Sequence, residues 1–467
     1  MIKFGTDGWR EVISDQFTFE NVRIVAQAIA EYVLDTVGKQ ATVAVGYDTR
    51  FLSDKYAEEC ARVLAANGLQ VLLADAVTPT PALSYAVKHR QAAGGIMITA
   101  SHNPYAYNGI KYKAGFGGSA LPDIIKEIEA RLHRKEPAAV PFDAALAKGD
   151  IKYINCREDY FKQIHSLVDL PRIAKADNKV IIDPMHGAGA GYIRELLAAE
   201  GMDVNEIRGD NNPLFGGVNP EPIRQNLQAL VDAVLSEKAQ AGFATDGDAD
   251  RVGAIDANGE FVNSHVIYAL LLRYLITVRG WSGGVVKTFS TSQMIDKLAS
   301  KYNIPVYETP IGFKYICELF LKEDILLGGE ESGGIGFKNH IPERDGILCS
   351  LLLMEIMAAY GKPLHEIIDE MMQEIGYHYY DRVDLHLSPE VKDKAMMALN
   401  NTPPKDFAGV KVKEILTLDG IKFMLEDGSW ILFRASGTEP VVRVYVEAGS
   451  KGLVEKIIRE GQQICCR

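Results

Sequence analysis

The sequence predicts an α/β protein of several domains, closed by an α+β tail. Strand-like and helix-like segments alternate from the start of the chain, the alternation runs through three rounds, and the pattern changes near Gly376. A length of 467 residues suggests about three domains at ~100–200 residues each, with two or four also open.

In the first round, Asn21–Val37 has helical periodicity and Thr42–Val45 is a short β-rich run. Ser53 is read as the cap of a helix running to about Asn67. Val71–Ala74 is strand-like, Pro81–His89 helical, Gly95–Thr99 a buried strand and Leu121–His133 an amphipathic helix. This rhythm predicts a mostly parallel sheet covered on both faces. The polar stretch Arg134–Asp150 marks a first boundary.

The second round has a strand at Lys179–Ile182, a Gly-rich turn, a helix at Tyr192–Glu200, and Gln240–Thr245 and Val252–Ile255 flanking an acidic loop. Asp256–Gly259 then reads as a hairpin turn. The third round starts near Asn263 and includes Val285–Thr288, a helix from Ser292, Ile325–Leu327 and a helix at Gly346–Tyr360. Beyond Gly376, Tyr379–Leu387, Ile421–Leu425, Ser429–Phe433 and Val441–Glu447 read as strands, with helices at Pro389–Leu399 and Leu453–Ile464.

Composition narrows the function. The net charge is −12 and no long basic run occurs, which argues against nucleic acid as a partner. The apolar run Tyr268–Val278 is too short to span a membrane and contains Arg273, so it reads as a buried helix. The first residues lack an apolar signal segment. Six scattered cysteines without a C-x-x-C pair predict reduced thiols and a cytoplasmic protein. Cys465 and Cys466 read as an exposed tail.

Four loops carry chemistry. In Asp246-Gly247-Asp248-Ala249-Asp250-Arg251, three carboxylates at alternate positions around a glycine can converge on one hard cation, and magnesium suits them. The calcium-loop reading fails because Arg251 and Ala257 stand where that loop needs Gly and Glu. Thr99–Pro104 follows a buried strand, where ligands sit in open α/β sheets. Its Ser101 can carry a phosphoryl group if its surroundings activate it, and His102 can supply a hydrogen bond or a charge. Alone, S-H-N-P is a strand-end turn; its weight comes from the other loops. In Gly328–Gly334, Glu330 and Ser332 suit sugar hydroxyls, although the segment alone reads as a flexible turn. Arg434–Pro440, with Arg443 beyond, combines a guanidinium, hydroxyls and Gly-freed N–H groups into a phosphate cradle. Gly187–Gly191 lacks the dinucleotide-binding spacing and reads as a strand-to-helix turn, and no P-loop occurs.

The sequence resembles the α-D-phosphohexomutase family over its whole length, through FGTDGWR (4–10), TASHNP (99–104), DGDADR (246–251), GEESGG (329–334) and RASGTEP (434–440). The resemblance implies four domains around a central cleft, three similar mixed α/β domains and an α+β C-terminal one, each giving one loop. The expected divisions are 1–150 for the phosphoserine loop, 151–256 for magnesium, 257–375 for the sugar and 376–467 for phosphate. It implies that Ser101 is the phosphoserine and that Asp246, Asp248 and Asp250 bind Mg2+ with it. Arg10, His102, Lys111, Arg251 and Arg344 are implied as active-site charge partners. Glu330 and Ser332 are implied as sugar readers, and Arg434, Ser436, Gly437, Thr438 and Arg443 as the site of the non-reacting phosphate.

TASHNP, Gly334 and Thr309–Lys314 resemble the phosphoglucomutase version of these loops. That version implies glucose 1-phosphate and glucose 6-phosphate as substrates and glucose 1,6-bisphosphate as activator and intermediate. Phosphomannomutase or dual specificity is the alternative, followed by phosphoglucosamine mutase, a sugar-phosphate phosphatase and a non-catalytic sensor. The acid/base role is left among Lys111, Arg344 and His340. Oligomeric state is left open.

Overall fold

The computed structural model describes residues 2–5, 7–436 and 440–466. The first sheet has six strands in the spatial order Trp9–Val12, Tyr107–Ala114, Gly94–Ile98, Thr42–Tyr47, Gln70–Ala74 and Ile151–Ile154. The last four are parallel, and the first two add an antiparallel edge. The sheet is therefore mostly parallel, as expected, with an antiparallel edge that makes it mixed. Side chains alternate across it, as strand geometry requires. Val43, Val45, Ile96 and Ile98 pack with the helices Phe19–Thr36 and Ser53–Ala66, whereas Ala44 and Met97 face the helix Thr80–His89 and join a core shared with the next two domains.

The second and third sheets repeat the plan, each parallel from its centre to one edge and antiparallel at the other. Two expected boundaries move. Ile151–Ile154 belongs to the first sheet, beyond the division at Asp150. Phe261–Val262 belongs to the second, beyond the division at Asp256. Both short strands complete a sheet edge, and their few residues carry too little periodicity to be assigned from sequence.

Gly346–Tyr360 is apolar all round and buried over most of its length, as a helix at the centre of a large protein should be. It packs on the second sheet's strands Ala241–Thr245 and Val252–Asp256, tying the third domain to the second. No single helix among the described residues is long and apolar enough to cross a membrane.

The C-terminal domain is a six-stranded antiparallel sheet. Ile431 and Phe433 face its helices Pro389–Asn401 and Lys451–Cys465. Trp430, Leu432 and Tyr445 pack on the other face with Phe289 of the third domain. Cys465 is buried and only Cys466 is exposed, so the expected exposed tail is the last turn of a packed helix.

One buried side chain shapes the serine loop. The Arg50 guanidinium donates to the carbonyls of Ser101 at 2.6 Å, Asn103 at 2.7 Å, Pro104 at 2.9 Å and Tyr107 at 3.0 Å. Asp48 pairs with it at 3.1 Å and accepts from Ser53 Oγ at 2.8 Å. Ser53 is therefore the first helical residue rather than the cap. Leu52, at φ 60°, precedes it. Arg50→Met strips the paired guanidinium from buried Asp48 and from four loop carbonyls, which should cost about 3–5 kcal/mol and lower the urea midpoint of the first domain.

Candidate active site

Gly94–Ile98 is wholly buried and delivers Ser101 at its carboxyl end. Ser101 is buried and takes φ 53°, a conformation costing on the order of 1–3 kcal/mol for a non-glycine residue. The loop holds it there from several sides. The Ser101 N–H donates to Thr99 Oγ1 at 2.8 Å, and its Oγ donates to Asp246 Oδ2 at 2.8 Å. Gly247 leaves room for this approach, since a Cβ there would lie 2.4 Å from the Ser101 carbonyl oxygen. His102 Nδ1 is 3.4 Å from Ser101 Oγ. Burial, with Arg251, Arg10 and Lys111 nearby, pushes the imidazole well below its ordinary pKa, so it is neutral. Arg10 donates to Asn103 Oδ1 at 2.8 Å, bracing the loop from the antiparallel edge strand.

Asp246, Asp248 and Asp250 converge as the spacing predicts. They are fully buried, and each offers a carboxylate oxygen within 4.8 Å of the others'. Asp246 Oδ1 accepts the N–H groups of Asp250 at 2.9 Å and Arg251 at 3.1 Å. Burial, then Asp248 and Asp250, raise the Asp246 pKa well above its usual value. Asp248 Oδ1 and Asp250 Oδ1 are buried without a hydrogen-bond partner. Clustered carboxylate oxygens with unpaired lone pairs fit a hard divalent cation such as magnesium.

Lys111 lies at the centre of the charges. Its Nζ is 2.7 Å from Asp248 Oδ2, 3.0 Å from Asp250 Oδ2 and 3.0 Å from Asp7 Oδ2. Burial opposes the ammonium form, but these carboxylates prevail and raise its pKa. Arg344 approaches from the third domain, pairing with Asp7 and with Asp250 Oδ2 at 2.7 Å. Burial again opposes the charge, and Asp250, Asp7, Glu343 and Glu330 raise the Arg344 pKa well above normal. Arg251 is nearly buried and lies 3.8 Å from Glu221.

Sequence reasoning missed several members of this network. Asp7 lies within FGTDGWR, where its sequence position alone indicates no partner. Lys113 is bonded to Glu343 Oε2 at 2.7 Å, and Ser119 Oγ donates to the same oxygen at 2.9 Å. Thr80 Oγ1 donates to Asp248. The available signal was Tyr107–Ala114: read as a strand, it puts Lys111 and Lys113 on one face.

The sugar-reading candidates sit on a hairpin between Ile325–Gly329 and Ile335–Phe337. Glu330 is buried, and that burial pushes its carboxyl up to about 7 despite Arg344 at 3.8 Å. Ser332 is half-buried beside it. A Cβ on Gly334 would lie 2.2 Å from Arg344 Cδ, so the glycine makes room for the arginine. The hairpin also docks on the acidic loop, because the Val252 N–H donates to the Gly333 carbonyl at 3.2 Å.

His340 is not brought to these groups. Its Nε2 is 2.9 Å from Asp345 Oδ2, and Tyr160 OH donates to both Asp345 oxygens, at 2.8 and 2.7 Å. Asp345 also caps the helix Gly346–Tyr360, so His340 supports that helix start rather than binding substrate or moving protons.

In the C-terminal domain Arg434 and Arg443 face each other across paired strands. Arg434 Nε donates to Asp419 at 3.0 Å, and Arg443 Nε is 3.4 Å from Asp384. The Ser436 N–H closes the loop on the Val441 carbonyl at 2.9 Å. Gly437 and Thr438 lie outside the described residues.

Family models for phosphoglucomutase/phosphomannomutase match in chain order: α/β/α domain I over residues 1–139, domain II over 158–259, domain III over 263–375 and the C-terminal domain over 390–460. A phosphoglucomutase/phosphomannomutase of Thermococcus kodakarensis is 32% identical over 98% of this chain and 97% of its own length. A phosphoglucosamine/phosphogalactosamine mutase of Sulfurisphaera tokodaii is 32% identical over 99% and 98%. A crystal structure from Thermus thermophilus, provisionally assigned as a phosphomannomutase, superposes with a TM-score of 0.88 at 40% identity over 99% of this chain and 98% of that one.

The Glu330 carboxyl generates a pH test. A reader that accepts from sugar hydroxyls as a carboxylate is lost as pH falls through about 7, so 1/KM should fall up to about tenfold per pH unit below that value. Glu330→Gln should flatten this dependence in steady-state kinetics.

Proposed function

The chain belongs to the phosphoglucomutase/phosphomannomutase family, and from that membership we propose that it interconverts glucose 1-phosphate and glucose 6-phosphate through phospho-Ser101 and glucose 1,6-bisphosphate. The observation that carries this reading is the placement of Ser101 Oγ, buried and 2.8 Å from Asp246, at the edge of the acidic trio. A serine presented there can hold a phosphoryl group shared with a cation.

Asp246, Asp248 and Asp250 are the residues that would hold Mg2+, which would act as a Lewis acid and neutralise phosphoryl charge. Arg10, Lys111, Arg251 and Arg344 add fixed positive charge around the transferring group. In the first half-reaction the P–Oγ bond of phospho-Ser101 breaks as a P–O bond forms to the free sugar hydroxyl. Lys111 and Arg344 are held protonated by their carboxylates and serve as charge partners, so the hydroxyl proton goes elsewhere. Neutral His102, whose Nδ1 is 3.4 Å from Ser101 Oγ, and Glu330 can accept it, and the departing Ser101 Oγ takes up a proton in its place. The bisphosphate then reorients, and Ser101 Oγ takes the other phosphoryl group. Arg434, Ser436 and Arg443, with Gly437 and Thr438 between them in sequence, hold the phosphate that is not reacting. Glu330 and Ser332 read the hydroxyls. We place the reaction in the cytoplasm.

A second reading, action on glucosamine 1-phosphate, is favoured by the named function of the Sulfurisphaera relative. Turnover of glucose, mannose and glucosamine 1-phosphates, measured side by side with magnesium and trace bisphosphate, separates these substrates. A clear preference for glucosamine would replace the glucose assignment.

Ser101→Ala should lower turnover by at least about a thousandfold with an unchanged circular dichroism spectrum. It should also lose the mass increment of one phosphoryl group that the parent protein gains from the bisphosphate. Ordinary turnover by this variant would refute the covalent carrier.

A further inference from the structure

Glu331 stands between the two sugar-reading candidates, yet its carboxylate is engaged by another domain. Its Oε1 accepts from Tyr380 OH at 2.9 Å and from Arg382 Nη1 at 3.1 Å. Its Oε2 lies 3.5 Å from the same Arg382 nitrogen. Ser264 Oγ holds the Glu331 carbonyl, fixing the turn. Tyr380 and Arg382 lie on the first strand of the C-terminal domain, just past Gly376, where the backbone takes φ 89°.

The row continues. Tyr380, Arg382 and Asp384 share one face of that strand. Arg382 Nε is 3.1 Å from Asp384 Oδ1, and Asp384 Oδ2 is 3.4 Å from Arg443 Nε. Arg443 is the register partner of Asp384 on one side and of Arg434 on the other. Alternating charges thus run from the sugar-reading turn to the arginines of the phosphate loop.

We propose that Glu331 is a positioning residue that latches the C-terminal domain to the sugar-reading turn through Arg382, holding the phosphate arginines and Glu330 at a fixed span. This rests on the phosphosugar reading above, in which one substrate reaches both loops. A phosphate drawn to Arg443 acts on Asp384, and through Arg382 on the turn that carries Glu330. By linkage, correct hydroxyl reading tightens phosphate binding to the same degree. A carboxylate already accepting from a tyrosine and an arginine is poorly disposed to read a sugar as well, so hydroxyl recognition falls to Glu330 and Ser332.

The test uses the full-length enzyme with glucose 1-phosphate. Glu331→Gln and Arg382→Gln should each raise KM about tenfold, the effect of one coupling of ordinary size, with kcat little changed. The charge-exchanged pair Glu331→Arg with Arg382→Glu should recover most of the loss that Arg382→Glu alone produces. Small-angle scattering should show a larger radius of gyration for Glu331→Gln than for the parent without sugar, and the difference should close on adding glucose 1,6-bisphosphate. Unchanged KM and scattering in the single variants, or an exchanged pair no better than its parts, would overturn the latch. Parent enzyme inactive on all three sugar 1-phosphates would instead overturn the functional reading, and the scattering comparison would still decide the latch.

Discussion

The Lys111 ammonium, enclosed by Asp7, Asp248 and Asp250, is the interaction on which the rest of the site depends. Asp246, Asp248, Asp250 and Glu343 are all fully buried, and an uncompensated buried charge costs several kcal/mol. Compensation comes across domain boundaries. Lys111 of the first domain meets the acidic loop of the second. Arg344 of the third meets Asp7 of the first and Asp250 of the second. Lys113 of the first meets Glu343 of the third. No one domain can bury its own share of these charges, so the electrostatics that serve phosphoryl transfer also fix how the three domains sit.

Steric fit sharpens that arrangement at a few glycines. Gly247 lets the acidic loop touch the serine loop. Gly334 admits the Arg344 side chain. Gly346 starts the central helix against the Arg251 carbonyl, where a Cβ would come within 2.2 Å. That helix begins directly after Arg344 and is capped by Asp345. Burying its apolar surface therefore holds the arginine in place, linking the hydrophobic core to the charge network.

These constraints explain what was legible in the chain. The three α/β rounds and the change near Gly376 were visible because strand and helix periodicities are local. The acidic trio was visible because alternate carboxylates around a glycine have few other uses. Tyr107–Ala114 escaped because buried lysines interrupt its apolar pattern, and their partners Asp248 and Glu343 are 137 and 230 residues away. Arg50 escaped for a related reason: it recognises backbone carbonyls, which leave no mark in sequence. His340 was overread because a histidine near a sugar loop suggests chemistry, while its actual partner is Asp345, which Tyr160 holds from another domain through tertiary packing.

A mutase that turns its intermediate around must read the same sugar in two orientations. A fixed array of donors or acceptors suits one orientation and leaves unpaired polar groups in the other, at a cost of about 1–3 kcal/mol for each. In the proposed reading, the Glu330 carboxylate offers two oxygens with several lone pairs, which can accept from hydroxyls presented in either orientation. Burial holds its pKa up to about 7, so this accepting form is gained as pH rises through neutrality. The hairpin's docking on the acidic loop accompanies that burial, which outweighs the opposing charge of Arg344. The same close packing that assembles the acidic site thus tunes the carboxylate that we propose reads the sugar in both orientations.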